Sequence, residues 1–429
     1  MNRVLLLTAV IVCIIESAGS LAAASAEQQV QRSTGPRERV TLDEALKLAE
    51  RHNPQLRAAS ASIDGAEAGI VTAGAYQNPS ITFGSLGRQR VLMQTAALPG
   101  MLHGFNFSQP IDLPMVRSAR INAATIRRQG AQLGLTEMRL AIRGAVKQAF
   151  YEALRRRREM QLAEGNVELL EDLRRRIQVQ VDVGEAARLE LTRAEAEVAG
   201  ARIAVRSAEL RSSAALSALY AAVGAPLGPV EPDGDLQRPQ ILPTLDELRH
   251  EMLSKHPTIQ VAEAEIRYAE ATAASERAQR LPSPSLWADW FQQPEAAQFR
   301  FGVTLTLPLL NKREGPIAEA EAARRHATAI AQSRRVQLLA SLERAYSMYQ
   351  VADQQVQIAE TGTLRQAAAA VDAAQAAFKF GERGIIEVLD AQRVLRSARM
   401  DYLNAQFDRQ QALIELEQLR AMDLGEQIP

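Results

Sequence analysis

The residues of this chain whose types and spacing could do chemistry are two acids, Glu387 and Asp390, directly after the glycine-broken turn Phe380-Gly-Glu-Arg-Gly384. Three residues apart at the start of a helix, they project from one face, where paired carboxylates attract cations. Taken alone, the same two residues also fit a solvated helix surface. Catalysis is not indicated, because the sequence has no nucleophile motif, P-loop, dinucleotide fingerprint or paired-cysteine metal site. Its five histidines, at positions 52, 103, 250, 256 and 326, lack His-x-x-x-His and His-Glu-x-x-His spacing. His250 and His256 read as surface residues near a helix end. Di-iron bundles need a pair of Glu-x-x-His motifs on facing helices, and no such pair is present. The sequence therefore predicts no enzyme, no cofactor and no metal-ligand set.

The acids need a rigid support, and the chain supplies it twice. Gly381 and Gly384 can take the positive φ that turns a chain out of a helix. Val183-Gly-Glu185 matches Phe380-Gly-Glu382, Glu190 falls on Glu387, and Ala201-Arg202 falls on Ala398-Arg399. Upstream, Thr41-Leu-Asp-Glu44 recurs as Thr244-Leu-Asp-Glu247, two capping boxes that start short helices. The chain is thus an internal duplication. Each half predicts a capped helix, a second alanine-rich helix (55–76 and 258–280), a strand pair, a long helix (115–181 and 315–380) and a return helix to about 223 or 422. At 1.5 Å per residue, each long helix would reach about 100 Å. Three-and-four spacing of Leu170, Leu173, Ile177 and Val181, and of Leu339, Leu342, Tyr346 and Tyr349, predicts coiled-coil packing. Arg155-Arg-Arg-Arg158 and Arg174-Arg-Arg176 lie among glutamates at helical spacing. They read as a solvated, salt-bridged face and not as a nucleic-acid patch.

The strand signal is strongest where Phe299, Phe301, Val303, Leu305 and Leu307 alternate with Arg300, Gly302, Thr304 and Thr306. Its counterpart is Gly104-Phe-Asn-Phe-Ser-Gln-Pro110, and partner strands precede them at 80–87 and 285–291. Such alternation suits a membrane barrel strand, and equally a half-buried soluble strand. Four strands cannot close a membrane barrel, which needs about eight. Either the chain oligomerises or the strands form no barrel.

Composition and the N-terminus set the setting. The 429 residues carry zero net charge and only 4% aromatics, with one cysteine. Low aromatic content with abundant Ala, Leu, Arg, Glu and Gln is the profile of long packed helices. Arg3, the apolar run 4–15 and Ala24-Ser-Ala26 form a secretory signal with a cut after Ala26. Cys13 lies inside it, so the mature chain is expected to have no disulfide, reactive thiol or acyl-cysteine anchor. The predicted map is 1–26 signal peptide, 27–223 first repeat, 224–243 proline-rich extended linker, 244–422 second repeat and 423–429 tail.

This duplicated unit on a secreted, cysteine-free chain resembles the TolC-type outer-membrane efflux proteins. The junctions Ser108-Gln-Pro-Ile-Asp-Leu-Pro-Met-Val-Arg-Ser-Ala-Arg120 and Leu307-Pro-Leu-Leu-Asn-Lys-Arg-Glu-Gly315, followed by Pro316-Ile-Ala-Glu319, resemble the cobalt-zinc-cadmium resistance branch. The resemblance implies a mostly α fold in which coiled-coil hairpins join four strands per chain in a trimeric 12-stranded membrane β-barrel. It implies a passive exit duct for heavy-metal cations, with the same duct for drugs or protein secretion, or a pore-less periplasmic scaffold, as alternatives. The implied partners are two further copies in a homotrimer, a periplasmic adaptor (membrane fusion) protein, an inner-membrane proton-driven pump and outer-membrane lipid. Residue by residue, it places Glu387 and Asp390 in an acidic ring at the aperture, and Arg383 with Glu190 in a latch between neighbouring helix pairs. Phe378 stands where the family has a hydrogen-bonding tyrosine. Val183, Gly184, Glu185, Phe380, Gly381, Glu382 and Gly384 become the tips that the adaptor grips.

Overall fold

The computed structural model describes residues 38–90, 98–226, 230–236 and 242–422. The expected signal peptide and the tail 423–429 lie outside the described residues. In chain order the elements are β1 (Glu38–Val40), α1 (Leu42–His52), α2 (Pro54–Gly74), β2 (Ser80–Gln89), β3 (Gly100–Pro110), α3 (Pro114–Asp182), α4 (Arg188–Val223) and β4 (Val230–Pro232). The second half repeats the order with α5 (Leu245–Lys255), α6 (Pro257–Ala278), β5 (Ser283–Gln292), β6 (Ala297–Thr306), α7 (Glu314–Ile358), a π-helical turn (Ala359–Thr363), α8 (Leu364–Lys379) and α9 (Ile385–Arg420). Both capping boxes form, with Glu44 and Glu247 reaching back to the Thr41 and Thr244 backbone N–H at 2.8 Å. The predicted single helix over 315–380 is therefore interrupted. No helix among the described residues is long and apolar enough to cross a membrane.

Two compact units make up the chain, with α3, α7 and α9 contributing to both. The first takes the described residues up to Asn53, then Ala145–Arg238 and Ala352–Gln411. Here β1 and β4 pair in parallel, so the expected extended linker contains a strand, and its Val230 and Leu236 are buried. Arg157 fixes this segment, pairing with Glu231 at 2.8 Å and donating to the Pro232 carbonyl at 2.6 Å. Three of the four arginines of this run are ion-paired as expected but largely covered, while Arg158 is exposed. Arg155 and Arg156 share Glu152, Arg156 also reaches Glu159, and all three of Arg155 to Arg157 are largely covered. Arg155 also stacks on Phe407 at 4.7 Å. Packing their long apolar stems is what draws these side chains inward. Arg175 and Arg176, paired with Asp172, do remain exposed.

The second unit takes Pro54–Gly144, Pro239–Val351 and the described residues from Ala412. Its antiparallel sheet has the order β2-β3-β5-β6, with a bulge between Gly84 and Gly87. The junction of the repeats lies at β3–β5, where Phe105 faces Trp290. Within this unit β2 and β6 are unpaired edges. Register puts Phe83, Phe105, Leu286, Trp290, Phe299, Phe301, Val303 and Leu305 on one face, and it is exposed. The other face carries the Arg300–Asp289 pair at 2.7 Å and two rings laid on glycines. A Cβ on Gly302 would meet Trp287 at 2.7 Å, and one on Gly104 would meet Phe291 at 2.9 Å. Below the sheet, Leu248, Met252, Leu342, Ala345, Leu416 and Leu419 form a core.

His256 is a correction to the surface reading: it is 6% exposed, whereas His250 is exposed. Its Nδ1 accepts from the Thr258 N–H at 3.2 Å as the N-cap of α6, and the ring also bonds the Gln418 backbone. In the first repeat Asn53, at the matching position, donates to the Ala222 carbonyl at 3.0 Å. Each repeat thus uses this position to tie a short helix to the end of its return helix. A polar side chain satisfying a backbone carbonyl there is buried by that role.

Candidate functional site at the helical hairpin tips

Both tips lie in the first unit and end their long helices with the same hydrogen bonds. At the first, Gly184 (φ 82°) donates to the Val181 carbonyl and Glu185 to that of Gln180, at 3.1 and 2.8 Å. At the second, Gly381 (φ 74°) donates to Phe378 and Glu382 to Ala377, at 3.1 and 2.9 Å. These are Schellman caps, which need a left-handed residue after the helix and so favour glycine there. Gly384 does not adopt positive φ. Its counterpart Ala187 caps α4 in extended geometry, which shows why no glycine is required at this position.

Beneath the tips one core joins both hairpins of this unit. Leu170 and Ile177 of α3, Ala194, Val198 and Ala201 of α4, and Ile385, Val388 and Leu389 of α9 are buried together, with Phe378 packed against them. Phe378 thus contributes apolar contact where a tyrosine would offer a hydroxyl. Burial of Ile385, Val388 and Leu389 turns the opposite face of α9 outward, and that face carries Glu387 and Asp390, both exposed. Glu387 lies in the first turn of α9, where the helix dipole favours an anion.

Charge pairing at the site is local within one chain. Arg383 lies 3.8 Å from Glu387, on its own helix start, and no Arg383–Glu190 ion pair forms among the described residues. Asp390 is partnered by Arg393 at 3.2 Å, and the Arg393 guanidinium also pairs with Glu197 of α4. The Glu197 hydrogen bond is the main cause that holds Arg393 above the usual guanidinium range. A second inter-helix pair, Arg202 to Glu171 at 2.6 Å, keeps the Glu171 carboxyl below its ordinary value. Sequence reasoning missed Arg393 and Glu197, which lie 196 positions apart. It also missed Leu189 and Ile386, exposed apolar residues that stand beside the tip residues Val183 and Phe380 at matching positions. Their duplication was a readable signal.

Above the second tip, the π-helical turn has a simple origin. The buried counterparts Val146 and Leu342 are separated by 196 positions, whereas Leu170 and Ala367 are separated by 197. One residue has entered the second repeat between them, and a π turn absorbs it without rotating the helix that follows. Two side chains cap carbonyls there: the Thr361 hydroxyl donates to Gln357 at 2.7 Å, and Arg365 donates to Thr361. No residue of the turn is buried.

A groove of about 710 Å³ opens between α3, α4 and α9, with Gly200, Ala204 and Ala208 on one side and Arg393, Arg396 and Arg399 on the other. Among the described residues no group of three or more His, Cys, Asp or Glu could hold a metal ion. The acids can therefore attract a passing cation but do not form a coordination cage.

Comparison with known proteins agrees with this architecture. The family described as "Outer membrane efflux protein" matches residues 45–225 and 248–421. The cobalt-zinc-cadmium resistance protein CzcC of Cupriavidus metallidurans is 29% identical over 376 residues, covering 87% of each chain. The pyoverdine export outer membrane protein OpmQ of Pseudomonas aeruginosa is 25% identical, covering 87% of this chain and 84% of that protein. Among solved structures, the CmeC outer membrane channel of Campylobacter jejuni superposes with a TM-score of 0.76 at 15% identity, over 90% of this chain and 87% of that one. The family match spans both repeats and the elements that build the tips, and the chain belongs to the outer membrane efflux protein family, as an efflux channel of the outer membrane.

Proposed function

We propose that three copies of this chain join their four-stranded sheets into one 12-stranded barrel and form a passive duct from the periplasm to the exterior. The observation that carries this reading is the sheet itself, which has two open edges and an exposed apolar face within one chain. An open edge in lipid leaves backbone groups unpaired, and only closure satisfies them. A periplasmic adaptor protein couples the duct to an inner-membrane proton-driven pump. Support for its docking at the tips comes from the duplicated apolar pairs Val183–Leu189 and Phe380–Ile386, and from the small-residue groove beside α4.

In this trimer Glu387 and Asp390 repeat around the axis as an acidic ring at the aperture. Arg383 latches to Glu190 of a neighbouring hairpin, since among the described residues of one chain its ion pair is with Glu387, at 3.8 Å. Heavy-metal cations are the cargo, a reading supported by similarity to the cobalt-zinc-cadmium resistance protein and by an acidic mouth that favours cations. The pyoverdine exporter, at 25% identity, favours a second reading with an organic cargo. A deletion strain decides between them. Sensitisation to cobalt, zinc, cadmium, nickel or copper supports metal export, whereas sensitisation to a drug panel with unchanged metal tolerance overturns it.

A further inference from the structure

We propose that the turn Leu307–Lys312, outside every strand, is seated in the periplasmic leaflet of the bilayer, with Leu309 and Leu310 among acyl chains and Lys312 at the lipid phosphates. The inference rests on the reading of the four-stranded sheet as membrane wall. The apolar stripe of β6 runs through Phe299, Phe301, Val303 and Leu305 and does not stop at the strand's end. It continues as Leu307, 52% exposed, Leu309, 72%, and Leu310, 102%. Three leucines left bare beyond a lipid-facing strand extend that same surface toward the headgroups.

The turn's two sides differ. Its polar side is tied to α6 and the turn that follows it: Arg280 donates to the Lys312 carbonyl at 3.0 Å, and Arg313 pairs with Glu276. Asn311 accepts the Arg313 N–H at 3.0 Å, and Arg313 is held at φ 56°, an unfavourable conformation that these contacts stabilise. Its apolar side is left exposed among the described residues. The loop is thus fixed so that the leucines point away from the protein. Lys312 is exposed and makes no ion pair among the described residues, leaving its ammonium available to a phosphate oxygen.

The first repeat shows that the junction need not be built this way. There only three residues, Ile111 to Leu113, link β3 to α3, and Asp112 is closed by Arg120 at 2.7 Å. The Ile111 N–H donates to Pro284 at 2.9 Å, drawing the chain back against the sheet. The turn of the second repeat thus offers a non-covalent second hold on the lipid surface beside the barrel wall.

Single-cysteine variants Leu310→Cys, Val303→Cys and Thr304→Cys, labelled with a nitroxide in full-length protein reconstituted in phosphatidylethanolamine–phosphatidylglycerol vesicles, test this. Collision with oxygen reports lipid and collision with a water-soluble nickel chelate reports solvent. The expected result is oxygen-dominated relaxation at 303 and 310, shallower at 310, with nickel-dominated relaxation at 304. If 310 is nickel-accessible while 303 is oxygen-accessible, the turn is aqueous and the proposal is wrong. If 310 is shielded from both reagents, a second copy of the chain covers it, which also overturns the proposal. Nickel access at 303 instead would overturn the barrel reading itself.

Discussion

Arg393 pairs with Glu197 across the packing of α4 and α9 and lies 3.2 Å from Asp390, so one guanidinium serves both an inter-helix tie and a candidate pore acid. Removing it should leave Asp390 unneutralised. We expect Arg393→Ala to deepen block of single-channel current by trivalent cations from the periplasmic side, lowering the half-blocking concentration about three-fold or more, as one added charge per protomer a few Å away predicts. The double substitution of Glu387 and Asp390 by Ala should abolish the block. Undiminished block in that variant would place the cation site elsewhere. The cost in stability should be small, because an exposed pair contributes about 0.2–1 kcal/mol.

The latch makes a separate prediction. If Arg383 and Glu190 meet between neighbouring hairpins, then Arg383→Ala and Glu190→Ala should each raise conductance in planar bilayers, and the double variant should add little to either single change. Additive increases would mean the two residues act independently.

Trp287 and Trp290, the only two tryptophans, lie three positions apart on β5 and so on opposite faces. Trp290 shares the face of Phe299 and Phe301, whereas Trp287 covers Gly302 on the other. In reconstituted Trp290→Phe the remaining fluorescence should be quenched by aqueous iodide, and in Trp287→Phe by brominated lipid. The reverse pattern would turn the sheet inside out.

Much of this was legible in the sequence for a physical reason: a duplication states every signal twice. The capping boxes at Thr41 and Thr244, the tip glycines Gly184 and Gly381, and the alternation along Phe299–Leu307 are local patterns fixed by backbone geometry. Long-range partners were not legible. Nothing near Arg393 points to Glu197, and Arg157 gives no hint that it would hold the strand Val230–Pro232. His256 misled because a histidine near a helix end is usually exposed, while this one is buried by bonds to a helix distant in sequence. The π turn was hidden in a one-residue change of repeat spacing that alanine-rich helices mask.

That turn predicts a hinge. Deleting Thr361 removes the extra residue and should give continuous α-helix from α7 into α8 without changing the phase of Ala367 and Val371, which pack on Leu395 and Ala398. We expect unchanged trimer formation and closed-state conductance. In an Arg383→Ala background, the deletion should return conductance toward the closed level. Full conductance in the combined variant would show that opening does not bend there.

His256 makes stability depend on pH in a direction fixed by its surroundings. Burial is the main cause lowering its pKa below the ordinary 6.5, with the Gln418 bond and Glu137 acting in the opposite sense. Because the folded value lies below the unfolded one, the neutral ring's contribution is fully present above about pH 6.5. It is lost as pH falls from there through the folded pKa, where Nδ1 gains a proton and can no longer accept the Thr258 N–H. The first repeat supplies the control, since Asn53 performs the same tie with a side chain that does not titrate. His256→Asn should therefore keep the midpoint of thermal unfolding near the parent value at pH 8 and flatten its decline between pH 7 and 5. Glu137 faces the same site, bonded to Thr258 at 2.6 Å, so Glu137→Gln is expected to leave the onset of that decline near pH 6.5 and to extend it to lower pH, by removing a charge that favours the imidazolium. An unchanged pH profile in His256→Asn would assign the acid sensitivity to other groups.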